Sequence, residues 1–269
     1  MRTEIVVVKD FYQDPGSVAE YAYCQKFYNP WFDNLKGSSA PEYVKNALWL
    51  ASFWKKATTC PFKSSPFLIS ALEEITGEEI DLEYWNKDFP ENFADGTVIS
   101  PRPDVIDPTK EPRWDNLDCS CRWNCVFHVK LHKQSLGEGV HNHVTDAWNS
   151  VGEAGWAGTI YLNKDAPRDS GLKLWENKHG DNFEWMTDKG RWELSDDFAN
   201  VYNRLILCRG NLPHSGGSGF GDSLRTGRLF QTFFFKTKGP KSRVANLRIG
   251  RDLGVALYNK APWKPVEIF

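Results

Sequence analysis

The chain has no excess of charge of either sign. Its 33 basic and 35 acidic residues leave a net charge of -2, which gives no long-range field to gather nucleic acid or an anionic membrane surface. Long apolar runs are also missing. The opening Met1-Arg-Thr-Glu-Ile-Val-Val-Val-Lys-Asp10 has too short an apolar stretch for a secretory signal, and no segment approaches membrane-spanning length. A soluble cytoplasmic protein is expected, with no nucleic-acid or membrane partner. Cysteine is sparse: Cys24, Cys60, Cys119, Cys121, Cys125 and Cys208 lack the paired C-x-x-C spacing of a structural zinc site, and without a signal segment a disulfide framework is not expected. Cys119-Ser-Cys121-Arg-Trp-Asn-Cys125 runs into the alternating Val126, His128, Lys130, His132 pattern, which reads as free thiols lining a strand. No internal repeat divides the chain.

Aromatic residues, by contrast, are plentiful: they make up 14% of the chain, with 12 tryptophans, as suits sheets and pockets walled by rings. At 269 residues a single domain buries enough surface to fold without staples. The pattern predicts a short strand at Glu4 to Val8, then helices over Ser17 to Cys24, Ala40 to Thr59 and Pro66 to Glu79. Residues 1 to 100 are thus a helix-rich part, followed by a proline-rich loop, Pro101 to Pro112. From 113 to 240 short β-branched and aromatic runs predict strands at 122 to 133, 156 to 163, 171 to 176, 203 to 209 and 227 to 237. Residues 241 to 269 form a C-terminal extension. The expected fold is mostly β with N-terminal helices, an α+β arrangement whose β part is a sandwich or jelly roll.

Chemistry concentrates in Val140-His-Asn-His143, Leu212-Pro-His214 and Gly227-Arg-Leu-Phe-Gln-Thr-Phe-Phe-Phe235. Imidazoles at i and i+2 of an extended segment share a face, and neutral imidazole suits Fe, Zn, Cu and Ni. His214 follows Pro213, which restricts the approach of that ligand. A guanidinium opening the aromatic strand, Arg228, adds an anchor for an anion.

Trp156-Ala-Gly-Thr-Ile-Tyr161-Leu-Asn163, Ser170-Gly171, Asn203-Arg-Leu-Ile-Leu207 ahead of His214, and Arg228 to Phe235 together resemble the Fe(II)- and 2-oxoglutarate-dependent oxygenases. The likeness is to a microbial and phage branch related to prolyl-hydroxylase-like proteins. It covers roughly residues 1 to 237, is strongest from 137 onward, and rests on the order of motifs that are individually weak. It implies a double-stranded β-helix, cupin-like, holding Fe(II) through two histidines and a carboxylate, with 2-oxoglutarate and O2 in the open positions. On this resemblance His141 and His214 are iron ligands. Arg228 pairs with the distal carboxylate of 2-oxoglutarate, assisted by the Tyr161 phenol.

The chain departs from the His-x-Asp pattern at His143. Three ligand sets stay open: His141, His143 and His214; a shifted register using His143 and Asp146; or His141 with Asp146 across a widened turn. Glu138 and Glu153 are weaker carboxylate candidates. A halogenase would need a small residue at 143, so His143 argues against one. The activity implied is hydroxylation of a small molecule, amino acid or peptide, with release of succinate and CO2. The rival readings are a catalytically altered β-helix metal-binding module and a three-His cupin-type enzyme that does not use 2-oxoglutarate. Two segments, Val144 to Gly155 and the glycine-rich Ser215 to Gly221, read as lids or slack turns at the mouth of the site. Trp148, Trp175, Trp185 and Trp192 read as core or as a substrate wall.

Overall fold

The computed structural model describes residues 4–25, 27, 49–51, 60–86, 124–131, 139–144, 151–178 and 189–241. Helix α1, Pro15–Tyr23, starts where Asp14 accepts the Ser17 N–H at 3.0 Å and proline fills the first turn. Helix α2, Pro66–Thr76, is capped in the same way by Ser65 and buries Leu68, Ala71 and Leu72. It stops short of the expected Glu79. Gly77 adopts φ 70° and donates to Glu73 O at 2.8 Å, a left-handed C-cap that releases Glu78–Ile80 as a strand, β3. A single turn, α3 (Leu82–Trp85), follows. Most of the helix expected over 40 to 59 lies outside the described residues. Its described piece, Trp49–Ala51, is a strand instead, β2. The apolar alternation at Leu48 and Leu50 fits a strand as well as a helix, and pairing of Leu50 with Val129 decides it.

The remaining strands are β1 (Ile5–Val8), β4 (Phe127–Lys130), β5 (Trp156–Tyr161), β6 (Leu172–Asn177), β7 (Trp192–Phe198), β8 (Leu205–Arg209), β9 (His214–Gly216), β10 (Arg228–Phe235) and β11 (Thr237–Pro240). The protein is β-rich and antiparallel with few helices. A six-stranded sheet runs β1-β8-β5-β10-β4-β2, a three-stranded sheet runs β7-β6-β9, and β11 pairs with β3. The extended segment at His141 adds to the smaller sheet through a bridge to His214.

Side chains alternate across the large sheet and sort into two layers. Val129, Trp156, Ile160, Leu207, Leu229 and Phe233 pack on one face with residues of α2. Each large apolar side chain removed from water in this way contributes about 1.5–3 kcal/mol. The other face meets the smaller sheet: Tyr161, Ile206 and Phe230 pack against Leu172 and Leu174. The polar residues of β4, His128 and Lys130, are buried rather than solvated, because their face of the sheet also turns toward this interior. Among the described residues no helix is long and apolar enough to cross a membrane.

Two motif residues have plain structural reasons. Asn203 takes φ 60°, which Asn tolerates better than most residues. From there its side chain clamps Tyr12, accepting Tyr12 N–H at 2.8 Å and donating to Tyr12 O at 2.6 Å. Gly171 has no room for a Cβ, which would lie 1.7 Å from Phe198 O.

Candidate metal centre and anion pocket

His141 and His214 exchange backbone hydrogen bonds, His141 N–H to His214 O at 3.0 Å and His214 N–H to His141 O at 2.8 Å. A directly opposed pair of this kind points both side chains to one face. His143, two residues on, shares that face. Its N–H donates to Gly210 O at 2.6 Å, and its carbonyl accepts from Val151 and Gly152. The three rings gather with centroids 4.5 to 5.0 Å apart. One ligating nitrogen from each falls within 4.8 Å of the others, with His143 and His214 buried.

Neighbouring carbonyls select the ring tautomers. His214 Nδ1 lies 2.8 Å from Leu212 O and His141 Nδ1 lies 3.1 Å from Gly139 O. Each Nδ1 therefore carries a proton and donates it, which makes Nε2 the nitrogen that bears the lone pair. His143 Nε2 sits 3.1 Å from His214 Nε2. Two nitrogens held about 2.1 Å from one ion at a right angle are separated by about 3.0 Å, so this edge has the span a shared metal requires. The donor chemistry and the fixed tautomers fit a divalent transition metal. Among the described residues no carboxylate joins the three imidazoles; Asp146 and Glu138 lie outside them, and Glu153 is exposed.

The second part of the interior is cationic. Arg228, at the head of β10, is 3% exposed. It forms no ion pair among the described residues, and its Nε has no hydrogen-bond partner. Its guanidinium stacks over the Phe230 ring, 4.6 Å from the centroid, and stands 5.6 Å from that of Tyr161. Burial lowers its pKa and nearby Tyr161 raises it; a guanidinium stays charged regardless. Burial pushes Tyr161 up to about 12, partly offset by Arg228, so the phenol keeps its proton. Burial, reinforced by Arg228, brings His128 down to about 3. It is therefore neutral at physiological pH, stacked on Phe230 and 3.0 Å from Thr232 Oγ1. Asn163 positions the arginine by pinning both its neighbours: Nδ2 donates to Gly227 O at 2.9 Å and Oδ1 accepts Leu229 N–H at 2.6 Å. The sequence showed Asn163 only as part of a motif, without this role.

Phe234 connects the two parts, since it shares the face of Arg228 on β10 and its ring lies 4.9 Å from that of His143. Cys208 flanks the histidine cluster, its Sγ 3.9 Å from His214 Nδ1, and burial raises its thiol to about 12. Cys24, Cys60, Cys125 and Cys208 are free thiols; Cys119 and Cys121 lie outside the described residues.

The glycine-rich stretch after His214 is not a slack lid. Gly217 N–H donates to Gly171 O at 2.6 Å, and Lys130 Nζ donates to Gly217 O at 3.0 Å. A Cβ on Gly217 would lie 2.4 Å from the backbone of Ser170, so close packing explains the glycine there. Only the ends of Val144 to Gly155 are described. Trp192 is buried, and half-buried Trp175 donates Nε1–H to Ser215 Oγ at 2.9 Å. Trp148 and Trp185 lie outside the described residues. Comparison with known proteins finds no family model and no curated protein that matches the chain.

Proposed function

We propose that the protein is an Fe(II)- and 2-oxoglutarate-dependent oxygenase that hydroxylates a small molecule, amino acid or peptidyl substrate with release of succinate and CO2. The observation that carries this reading is Arg228: a buried cation with no acidic partner among the described residues, inside the same layer as three converging imidazoles. Burying an unpaired charge is costly, and an acid bound at the metal removes that cost. Strand order supports a double-stranded β-helix as the frame. In chain order β4, the His141 segment, β5, β6, β7, β8, β9 and β10 distribute as β8-β5-β10-β4 in one sheet and β7-β6-β9-His141 in the other.

In this reading His141, His143 and His214 hold the metal through Nε2, and Arg228 takes the distal carboxylate as a two-pronged donor. The protonated Tyr161 phenol donates to the same carboxylate. Phe230 and Leu174 keep water from the pocket between. Iron held by these residues would supply O2 activation coupled to oxidative decarboxylation of the acid. A donor set of three neutral imidazoles leaves the ion its full charge, which favours an anionic chelating ligand.

The same third histidine favours a second reading, a three-His metalloenzyme without an acid co-substrate. Anaerobic titration of the Fe(II)-loaded protein with 2-oxoglutarate separates the two. The oxygenase shows a weak visible metal-to-ligand band and forms succinate on admission of air. Absence of both rules the oxygenase out.

A further inference from the structure

Thr159 sits in the middle of β5, on the face turned to the smaller sheet, with Ala157 on one side and Tyr161 on the other. Its cross-strand neighbours are Thr232 and Ile206. The residue is 8% exposed, and its hydroxyl has no hydrogen-bond partner. Thr232, directly opposite, bonds His128 instead. A buried hydroxyl left unmatched is unfavourable, and valine fills the same space in a strand without that penalty. Tyr161 Oη and Arg228 Nε, on the same face, also lack partners. Three polar atoms without a protein hydrogen-bond partner, on two adjacent strands, line one interior, and each can donate to the oxygens of one ligand.

Register places Thr159 along that interior. Tyr161 opposes Phe230, Thr159 opposes Thr232 and Ala157 opposes Phe234. The Phe234 ring touches the His143 ring. Thr159 therefore stands about 7 Å along the strand from Tyr161 toward the three imidazoles, between the metal end and the guanidinium. We propose that Thr159 is a further binding residue for the co-substrate, its hydroxyl donating to the oxygen of the Arg228-bound carboxylate that faces the metal. This rests on the oxo-diacid reading given above.

The test is calorimetric titration of the Fe(II)-loaded, anaerobic protein with 2-oxoglutarate, alongside melting of the ligand-free form. Thr159→Val should weaken binding by roughly ten- to a hundredfold, as loss of a hydrogen bond to a charged group does. Thr159→Ser should stay within about threefold of wild type, and ligand-free Thr159→Val should melt no lower than wild type. If Thr159→Val binds as tightly as wild type while Arg228→Met binds nothing, the role of Thr159 is overturned and the oxygenase reading stands. Weakened binding in both Thr159 variants, with a lower melting temperature for Thr159→Val, marks packing alone and also overturns it. Wild-type protein that does not bind 2-oxoglutarate overturns both.

Discussion

Replacing Arg228 with methionine should make the ligand-free protein more stable while abolishing acid binding, an opposition that a structural arginine cannot produce. The guanidinium is 3% exposed without an acidic partner among the described residues, so its desolvation costs a few kcal/mol. Its stacking on Phe230, 4.6 Å away, returns about 1–2 kcal/mol. Methionine keeps the length and the contact with the ring and removes the charge. The net gain is about 1 kcal/mol, or about 2–4 °C in melting temperature for a chain of this size. Acid binding changes in the other direction. Truncating one side of a buried, hydrogen-bonded charge pair costs about 2–5 kcal/mol, a loss of roughly thirty- to several-thousandfold. Thermal melting with and without 2-oxoglutarate on metal-loaded protein reads both effects. At a hundred times its Kd the acid stabilises wild type by about 2.7 kcal/mol, and Arg228→Met should show none of this. A ligand-free variant that melts several degrees lower, or one that keeps the ligand-induced rise, refutes the assignment of Arg228 as an anion anchor.

His143→Ala should remove most of the stabilisation that Fe(II) or Zn(II) confers under anaerobic conditions, whereas Asp146→Asn should leave it intact; the reverse result moves the third ligand from His143 to Asp146. Acid sensitivity should come from two groups. Glu78 is pulled upward by burial, but hydrogen bonds from Arg209, Thr237 and Trp156 outweigh this and hold it at about 2. Its contribution is full above the unfolded value near 4.5 and is lost as pH falls toward 2. It is at most about 3 kcal/mol, and roughly half that once solvent screening at its open side is allowed for. His128, held neutral down to about 3, costs stability as pH falls below about 6.5, where the unfolded imidazole takes up a proton first. Urea unfolding between pH 3 and 7 should show both slopes. Glu78→Gln should lower the whole curve, because buried Arg209 loses its partner, and flatten only the part below about pH 4.5.

What the sequence made legible follows from which forces hold each element. Strands β5, β8 and β10 are aliphatic and aromatic runs whose own composition encodes burial, and they fall inside the predicted spans, while β6, Leu172–Asn177, runs one residue past its span of 171 to 176. Strand β7, Trp-Glu-Leu-Ser-Asp-Asp-Phe, is exposed along most of its length and exists through backbone pairing with β6, which leaves no hydrophobic period to read. Strand β9 is three residues long and begins at His214. Polar alternation in β4 usually marks a solvent face, but here His128 and Lys130 are buried, a consequence of the second sheet that no local pattern contains. The three histidines were identifiable by type and spacing. Their convergence depends on the bridge between His141 and His214, a long-range pairing. Thr159 was invisible, because a threonine within a strand is ordinary until its neighbours fail to supply a partner.

The electrostatic balance of the interior ties the three-histidine site to Arg228. No aspartate or glutamate is buried among the described residues, while Lys63, Lys130, Arg209 and Arg228 are. Arg209 is paired with the carboxylate of Glu78, at 2.7 Å, and lies over Trp156 on the opposite face of the large sheet from Cys208 and His214. With His143 in place of a carboxylate, a divalent ion would add two positive charges to a site that already holds the guanidinium of Arg228. A dianionic acid, if bound between the three histidines and Arg228, would offset positive charge at both ends. Metal and acid would then each bind more tightly in the presence of the other, because linkage between two sites is reciprocal. On the proposed oxygenase reading, a histidine at 143 where that reading expects a carboxylate would strengthen the demand for an acidic co-substrate. A carboxylate at position 143 would lower the charge on the metal, and with it the electrostatic pull on the acid.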